Sequence, residues 1–190
     1  MSGRTDPRVV RTARAFERAV VELAGRRPIS RITVAELAAH AGATRATFYN
    51  RYSTPLDLLL QVLQDDLDRG HRREELLLAG PSAPGLLRVA TTEVAAHVER
   101  FAAVYRQSLS DPADRGVHDA LVRHFAEYTL AVLSHAAPPG LTPVRRRLAA
   151  RFLSHGFAGV IQAWLGEESA TTEDLVEAAI ACAPPWWPAT

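Results

Sequence analysis

The chain has 190 residues, 47% of them hydrophobic and 23% charged, with 22 arginines and no lysine against 21 acids for a net charge of +1. That is the composition of an ordinary globular protein with room for one large or two small domains, and it excludes a disordered or fibrous chain. No apolar run of about 18 residues is present to cross a membrane, stretch 1–14 has no signal-peptide core, and the single Cys182 allows no internal disulfide, so a cytoplasmic chain is expected.

The first helix starts at Asp6-Pro7, a cap followed by proline at the first helical position. Val9, Val10, Ala13, Phe16, Val20 and Leu23 give it one apolar stripe, and Gly25 ends it. Its other face carries Arg4, Arg8, Arg11, Arg14 and Arg18, either as solvated charge or as contacts to a phosphate backbone. A loop over 26–32 follows, with Ile29 and Ile32 expected to close a three-helix core.

Thr33 and Glu36 form a capping box that opens a second helix. Val34, Leu37, Ala38 and Ala41 recur at three- and four-residue spacing, and Gly42 suits a left-handed turn. Thr44 caps a third, two-turn helix fronted by Arg45, Ala46 and Thr47. Helix, glycine turn and polar-fronted helix make a helix-turn-helix. Free amides and hydroxyls at such a front suit phosphate, and the Arg45 fork suits guanine O6 and N7. Tyr49, Asn50 and Arg51 extend the polar surface, and Phe48 and Tyr52 anchor the helix. A plain helical hairpin with solvated Arg45 and Arg51 is the competing reading of the spacing.

Thr54-Pro55 opens a long helix to about 78, with Leu56, Leu59, Leu60, Leu63 and Leu67 along one face and a possible break at Gly70. The stretch 80–85, GPSAPG, is a loop. Helices are expected over 86–99 and 101–109, stopped by Ser110-Asp111-Pro112, then over 113–136, ended by Pro138-Pro139-Gly140. Thr142-Pro143 opens a helix to 165, and Thr171 or Thr172 caps a last one to Cys182. A tail with Trp186-Trp187 among prolines is expected to pack loosely. No strand-type alternation appears, so the fold class is all-α.

The order of residues 33–52, TVAELAAHAGATRATFYNRY, resembles the DNA-binding domain of the TetR family of bacterial regulators, whose usual pattern is like TVxxLAxxAGVSRGTFYxHF. Ala46 stands where Gly is common, Arg51 where His is common, Tyr52 where Phe is common, and Ser53-Thr54-Pro55 where a lysine often begins the next helix. The resemblance implies an N-terminal three-helix domain over 1–52 and a C-terminal helical effector-binding and dimerisation domain over 53–190. It places Thr44, Arg45, Thr47, Tyr49, Asn50 and Arg51 where the family contacts bases and phosphates, with Thr33, Ala46 and Thr54 beside them. Charge agrees: residues 1–52 hold ten arginines and four acids, whereas 53–190 hold twelve and seventeen, so the basic footprint lies on the helix-turn-helix.

In the helix over 143–165, Leu153, Phe157, Val160 and Trp164 form a bulky stripe expected to face the domain's own core. A second stripe, Ala149, Phe152, Gly156, Gly159 and Ala163, is dominated by small residues that admit another helix. With Leu175, Ala179 and Cys182 it forms the candidate dimer interface, although both stripes can equally be read as intrachain core. Pairing has a use, since a two-fold dimer reads two half-sites of a near-palindromic double-stranded operator. His97, Phe101, Tyr105, His124, Phe125, Tyr128, His155 and Trp164 are the candidate lining of a site for a small, apolar or aromatic effector; a filled core is the alternative.

No phosphate loop, HExxH, CxxC or nucleophile elbow is present, the seven histidines lack zinc spacing, and neither enzyme activity, metal nor cofactor is expected. The expectation is a dimeric repressor released from DNA by the effector. An all-α enzyme with scattered catalytic residues and a ligand-independent helix-turn-helix module are the rivals.

Overall fold

The computed structural model describes residues 6–78, 85–110, 114–135 and 140–184. Arg4, the expected loop residues 80–84, the stops at Asp111-Pro112 and Pro138-Pro139, the helix ends at 113 and 136, and the Trp186-Trp187 tail lie outside them. The described residues are helical with no strand: α1 (Pro7–Ala24), α2 (Val34–His40), α3 (Arg45–Tyr49), α4 (Pro55–Leu78), α5 (Leu86–Arg100), α6 (Ala102–Ser110), α7 (Arg115–His135), α8 (Pro143–Gly166) and α9 (Thr172–Cys182). The fold is all-α as expected. Gly70 does not interrupt α4, because in a long helix the cost of one glycine, about 1 kcal/mol, is spread against many packed turns.

The helix starts are set by caps read directly from sequence. Asp6 accepts the Arg8 amide at 2.8 Å with Pro7 in the first turn, Thr142 accepts the Arg145 amide at 3.3 Å, and Thr171 forms a capping box with Asp174. Between α1 and α2 the expected loop contains a single 3-10 turn, Ile29–Arg31.

The chain divides into two compact units. The first comprises residues 1–65 and 101–117. Its core holds Phe16, Val20, Ile29, Ile32, Leu37 and Phe48, all buried. Phe16 and Phe48 meet edge to face at 5.5 Å between ring centroids, and Tyr52 closes on Phe48 at 5.4 Å, so α1 and α3 are pinned by aromatic packing. From α4, Leu58 joins Leu59 and Leu63 in the core, while Leu56 and Leu60 are half-buried. Buried Asp114 accepts the amides of Ile29 at 2.6 Å and Ser30 at 3.1 Å, closing the 3-10 turn onto a residue far along the chain.

The second unit comprises residues 66–100 and 118–190. Here α9 packs on α5 and α8, and Arg88 of α5 bonds Glu173 and Glu177 of α9. The face that α8 buries is Ala150, Ser154, Ala158 and Ile161, not the bulky stripe expected from sequence. Leu153, Phe157, Val160 and Trp164 are half-buried. Small side chains let α8 approach its neighbours closely, and the larger ones flank that contact.

Candidate functional site

The helix-turn-helix is built by local chemistry. The Thr33 hydroxyl accepts the Glu36 amide at 3.2 Å, and the Glu36 carboxylate accepts the Thr33 amide at 3.0 Å. The Glu36 pKa is lowered to about 2 by the Thr33 amide first, then by the Arg27 guanidinium at 2.8 Å and the Thr33 hydroxyl. Gly42 has φ 63°, the left-handed conformation that favours glycine in the turn. The Thr44 hydroxyl accepts the Thr47 amide at 3.2 Å and lies 2.8 Å from the Thr47 hydroxyl.

On this frame Arg45, Ala46, Tyr49, Asn50 and Arg51 are exposed, while Phe48 beneath them is fully buried. Tyr49 is 60% exposed. Three of the nine residues named for DNA contact, Thr33, Thr44 and Thr54, spend their hydroxyls on caps; Thr54 accepts the Asp57 amide at 3.1 Å. Thr47 is half-buried. Arg8, Arg11, Arg14 and Arg18 of α1 are exposed. The surface is therefore a short row of side chains, two of them arginines, on a rigid aromatic base.

The second unit contains a cavity of about 310 Å³. Leu87, Thr91 and Val94 of α5, Phe125 and Tyr128 of α7, and Phe152 and Phe157 of α8 form much of its wall, and Cys182 stands at the end of α9. Phe125 and Phe157 meet edge to face at 4.7 Å. None of its described lining residues is charged or a histidine.

Of the eight residues expected to line an effector site, Phe125 and Tyr128 line this cavity. Phe101 and Tyr105 are buried in the first unit. His97 is buried and its Nδ1 lies 2.8 Å from Asp66 Oδ2, which Arg100 also bonds, while Arg69 bonds Asp66 Oδ1. Burial pushes the His97 pKa down despite that carboxylate. For Asp66, burial raises the pKa, but the bonds from His97 and Arg69 outweigh it and the net shift is downward. His124 is buried beside Phe125, His155 is exposed, and the Trp164 indole donates to the Thr171 carbonyl at 2.9 Å.

Among the residues expected at a dimer face, Phe152, Gly156, Gly159, Ala163 and Cys182 are exposed and Ala149 is half-buried. Leu175 and Ala179 are instead buried inside the unit, because α9 turns that stripe onto α5 and α8. Phe152, Gly156, Ala179 and Cys182 also line the cavity. The sequence reading missed Leu87, Thr91 and Val94 as lining; their three- and four-residue spacing on α5 was the available signal. Among the described residues no cluster of acids, histidines or cysteine is arranged to hold a metal, and no helix is long and apolar enough to cross a membrane.

No family model matches the chain, and no curated protein matches its sequence. Solved structures do. A "Dihydroxyacetone kinase operon activator DhaS" is similar with a TM-score of 0.60 and 11% identity, over 90% of this chain and 92% of that one. A putative TetR-family transcriptional regulator from Rhodococcus sp. gives a TM-score of 0.60 and 17% identity, over 90% and 96%. A putative fatty acid metabolism regulator of Clostridium perfringens gives 0.57 and 13%, over 87% and 95%. The chain has a TetR-family fold.

Proposed function

We propose that this protein is a TetR-type transcriptional regulator that binds a near-palindromic operator as a dimer and is released from it by a small effector. The observation that carries the reading is the exposed row Arg45, Ala46, Tyr49, Asn50 and Arg51 fixed over the buried Phe16–Phe48 pair. Arg45 stands as base reader, while Arg51 and Asn50 supply backbone contacts. The neighbours' printed names, an operon activator among them, fit a regulator of either sign; release by effector makes repression the proposed sign here.

Pairing is supported by α8. Phe152 is 79% exposed and Leu148 and Val144 are exposed on the same helix. A Cβ built at Gly156 or Gly159 meets nothing within 4 Å, so nothing within the described protein requires glycine there. Two such glycines cost about 1 kcal/mol each against alanine, and close approach of a second copy's helix gives them a purpose. The division of labour follows: residues 1–52 read DNA, and the remainder pairs and senses.

Selecting bound DNA from a random pool tests this. A recovered sequence with two inverted half-sites, bound by a species of twice the monomer mass in sedimentation, is the expected result. Recovery of no preferred sequence would sink the reading, and a half-site bound by monomer alone would sink the pairing.

A further inference from the structure

The cavity of the second unit carries a feature that a merely unfilled core lacks. Thr91 is 1% exposed, lines the cavity, and its hydroxyl has no hydrogen-bond partner in the protein. Its neighbour shows what a helical threonine ordinarily does: Thr92 Oγ1 donates to the Arg88 carbonyl one turn back at 2.8 Å. Thr12 does the same to Arg8 at 3.0 Å. Leaving a buried hydroxyl without a bond is unfavourable, and a buried apolar side chain would fill that position on α5 without this cost.

The remainder of the wall decides the ligand's charge. With Leu87, Val94, Phe125, Phe157 and Val160 around it and neither cation nor anion among the described lining residues, an ionised group brought inside would lose its hydration and gain no counter-charge from them. An apolar molecule has no such cost, and one oxygen on it would complete the Thr91 bond after a turn of the threonine side chain brings its buried hydroxyl to the cavity surface.

We infer that the cavity takes an uncharged, mainly apolar molecule carrying a single hydroxyl or carbonyl oxygen, held by Thr91, and that it rejects the carboxylate of the same skeleton. This rests on the proposal that the second unit binds an effector, and sharpens it to a ligand class and an anchoring residue. Phe125 and Phe157 grip the apolar body, and Thr91 orients the polar end.

The chain's single cysteine provides the readout, since Cys182 is exposed and also lines the cavity. Its rate of alkylation by N-ethylmaleimide is measured in the full chain against two matched series near neutral pH. One is 2-methylnaphthalene, 2-naphthalenemethanol and 2-naphthoate; the other is decane, 1-decanol and decanoate. The alcohols are expected to slow alkylation at concentrations at least about tenfold below those the carboxylates need. Thr91→Val is expected to weaken protection by the alcohols about tenfold while leaving the hydrocarbons unchanged, and Thr91→Ser to restore it.

A carboxylate that protects as well as its alcohol, or a Thr91→Val chain that binds alcohol undiminished, overturns the inference while leaving an effector site standing. Failure of every compound in both series to protect Cys182 overturns the effector site itself, and the inference with it.

Discussion

The carboxylate of Asp114 accepts the amide of Ile29 at 2.6 Å, joining residues 85 positions apart. With its second oxygen on Ser30 and its own carbonyl accepting the Ser108 hydroxyl at 2.9 Å, Asp114 holds together the turn that delivers the chain to the helix-turn-helix. Asp114→Ala leaves two amides without an acceptor and is expected to cost about 2 kcal/mol. Asp114→Asn, which keeps one acceptor, costs less. Chemical denaturation followed at the first unit's aromatic signals checks the order; equal stability of all three chains would show the bonds to be dispensable.

Arg45→Ala and Arg51→Ala separate reading from anchoring. The first is expected to lose about 1–3 kcal/mol on the preferred sequence and to relax preference at one base pair. The second weakens all sequences alike and reduces the salt slope by about 1. Binding isotherms on the selected DNA and on scrambled DNA, each at several salt concentrations, distinguish them. Identical behaviour of the two variants removes Arg45 from the role of base reader.

Phe152→Arg is expected to yield a monomer, because a charge placed on the exposed α8 face would be desolvated in a paired state. Sedimentation at micromolar concentration reads this directly. An unchanged mass with the variant folded moves the pairing surface elsewhere.

Two pH dependences follow from opposite surroundings. Glu36 has its pKa lowered from 4.5 to about 2 by the Thr33 amide and Arg27, so its contribution to α2 is full above about pH 4.5 and is lost as pH falls towards 2. Glu36→Gln is expected to flatten acid unfolding in that window. His97 is held below its ordinary 6.5 by burial, so the unfolded chain binds the proton more readily. Stability of the second unit is therefore full above pH 6.5 and declines as pH falls below it. Melting curves of the native chain and of His97→Gln at about pH 7.5 and pH 5 check the slope, which the substitution should diminish.

Those contrasts mark how far the residues could be read in order. The capping box at Thr33, the cap at Thr44 and the exposed row from Arg45 to Arg51 were legible, because each involves groups within a few positions. The α8 face was misassigned. Leu153, Phe157, Val160 and Trp164 are larger and more apolar than Ala150, Ser154 and Ala158, yet the smaller set is buried. Periodicity finds stripes, but closeness of approach chooses between two stripes on one helix.

By itself the sequence determined the all-α class, the positions and starts of the helices, and the exposed side chains at the front of the helix-turn-helix. Caps, proline positions and a 3.6-residue repeat act through neighbours along the chain, so they survive without knowledge of the fold. Only the tertiary structure decided that Asp114 closes the turn at Ile29, that His97 is tied to Asp66 rather than lining a cavity, and that Thr91 is left with an unbonded hydroxyl. Each depends on where helices far apart in sequence come to rest against one another, and burial, which sets the cost of an unpaired polar group, exists only once they have done so.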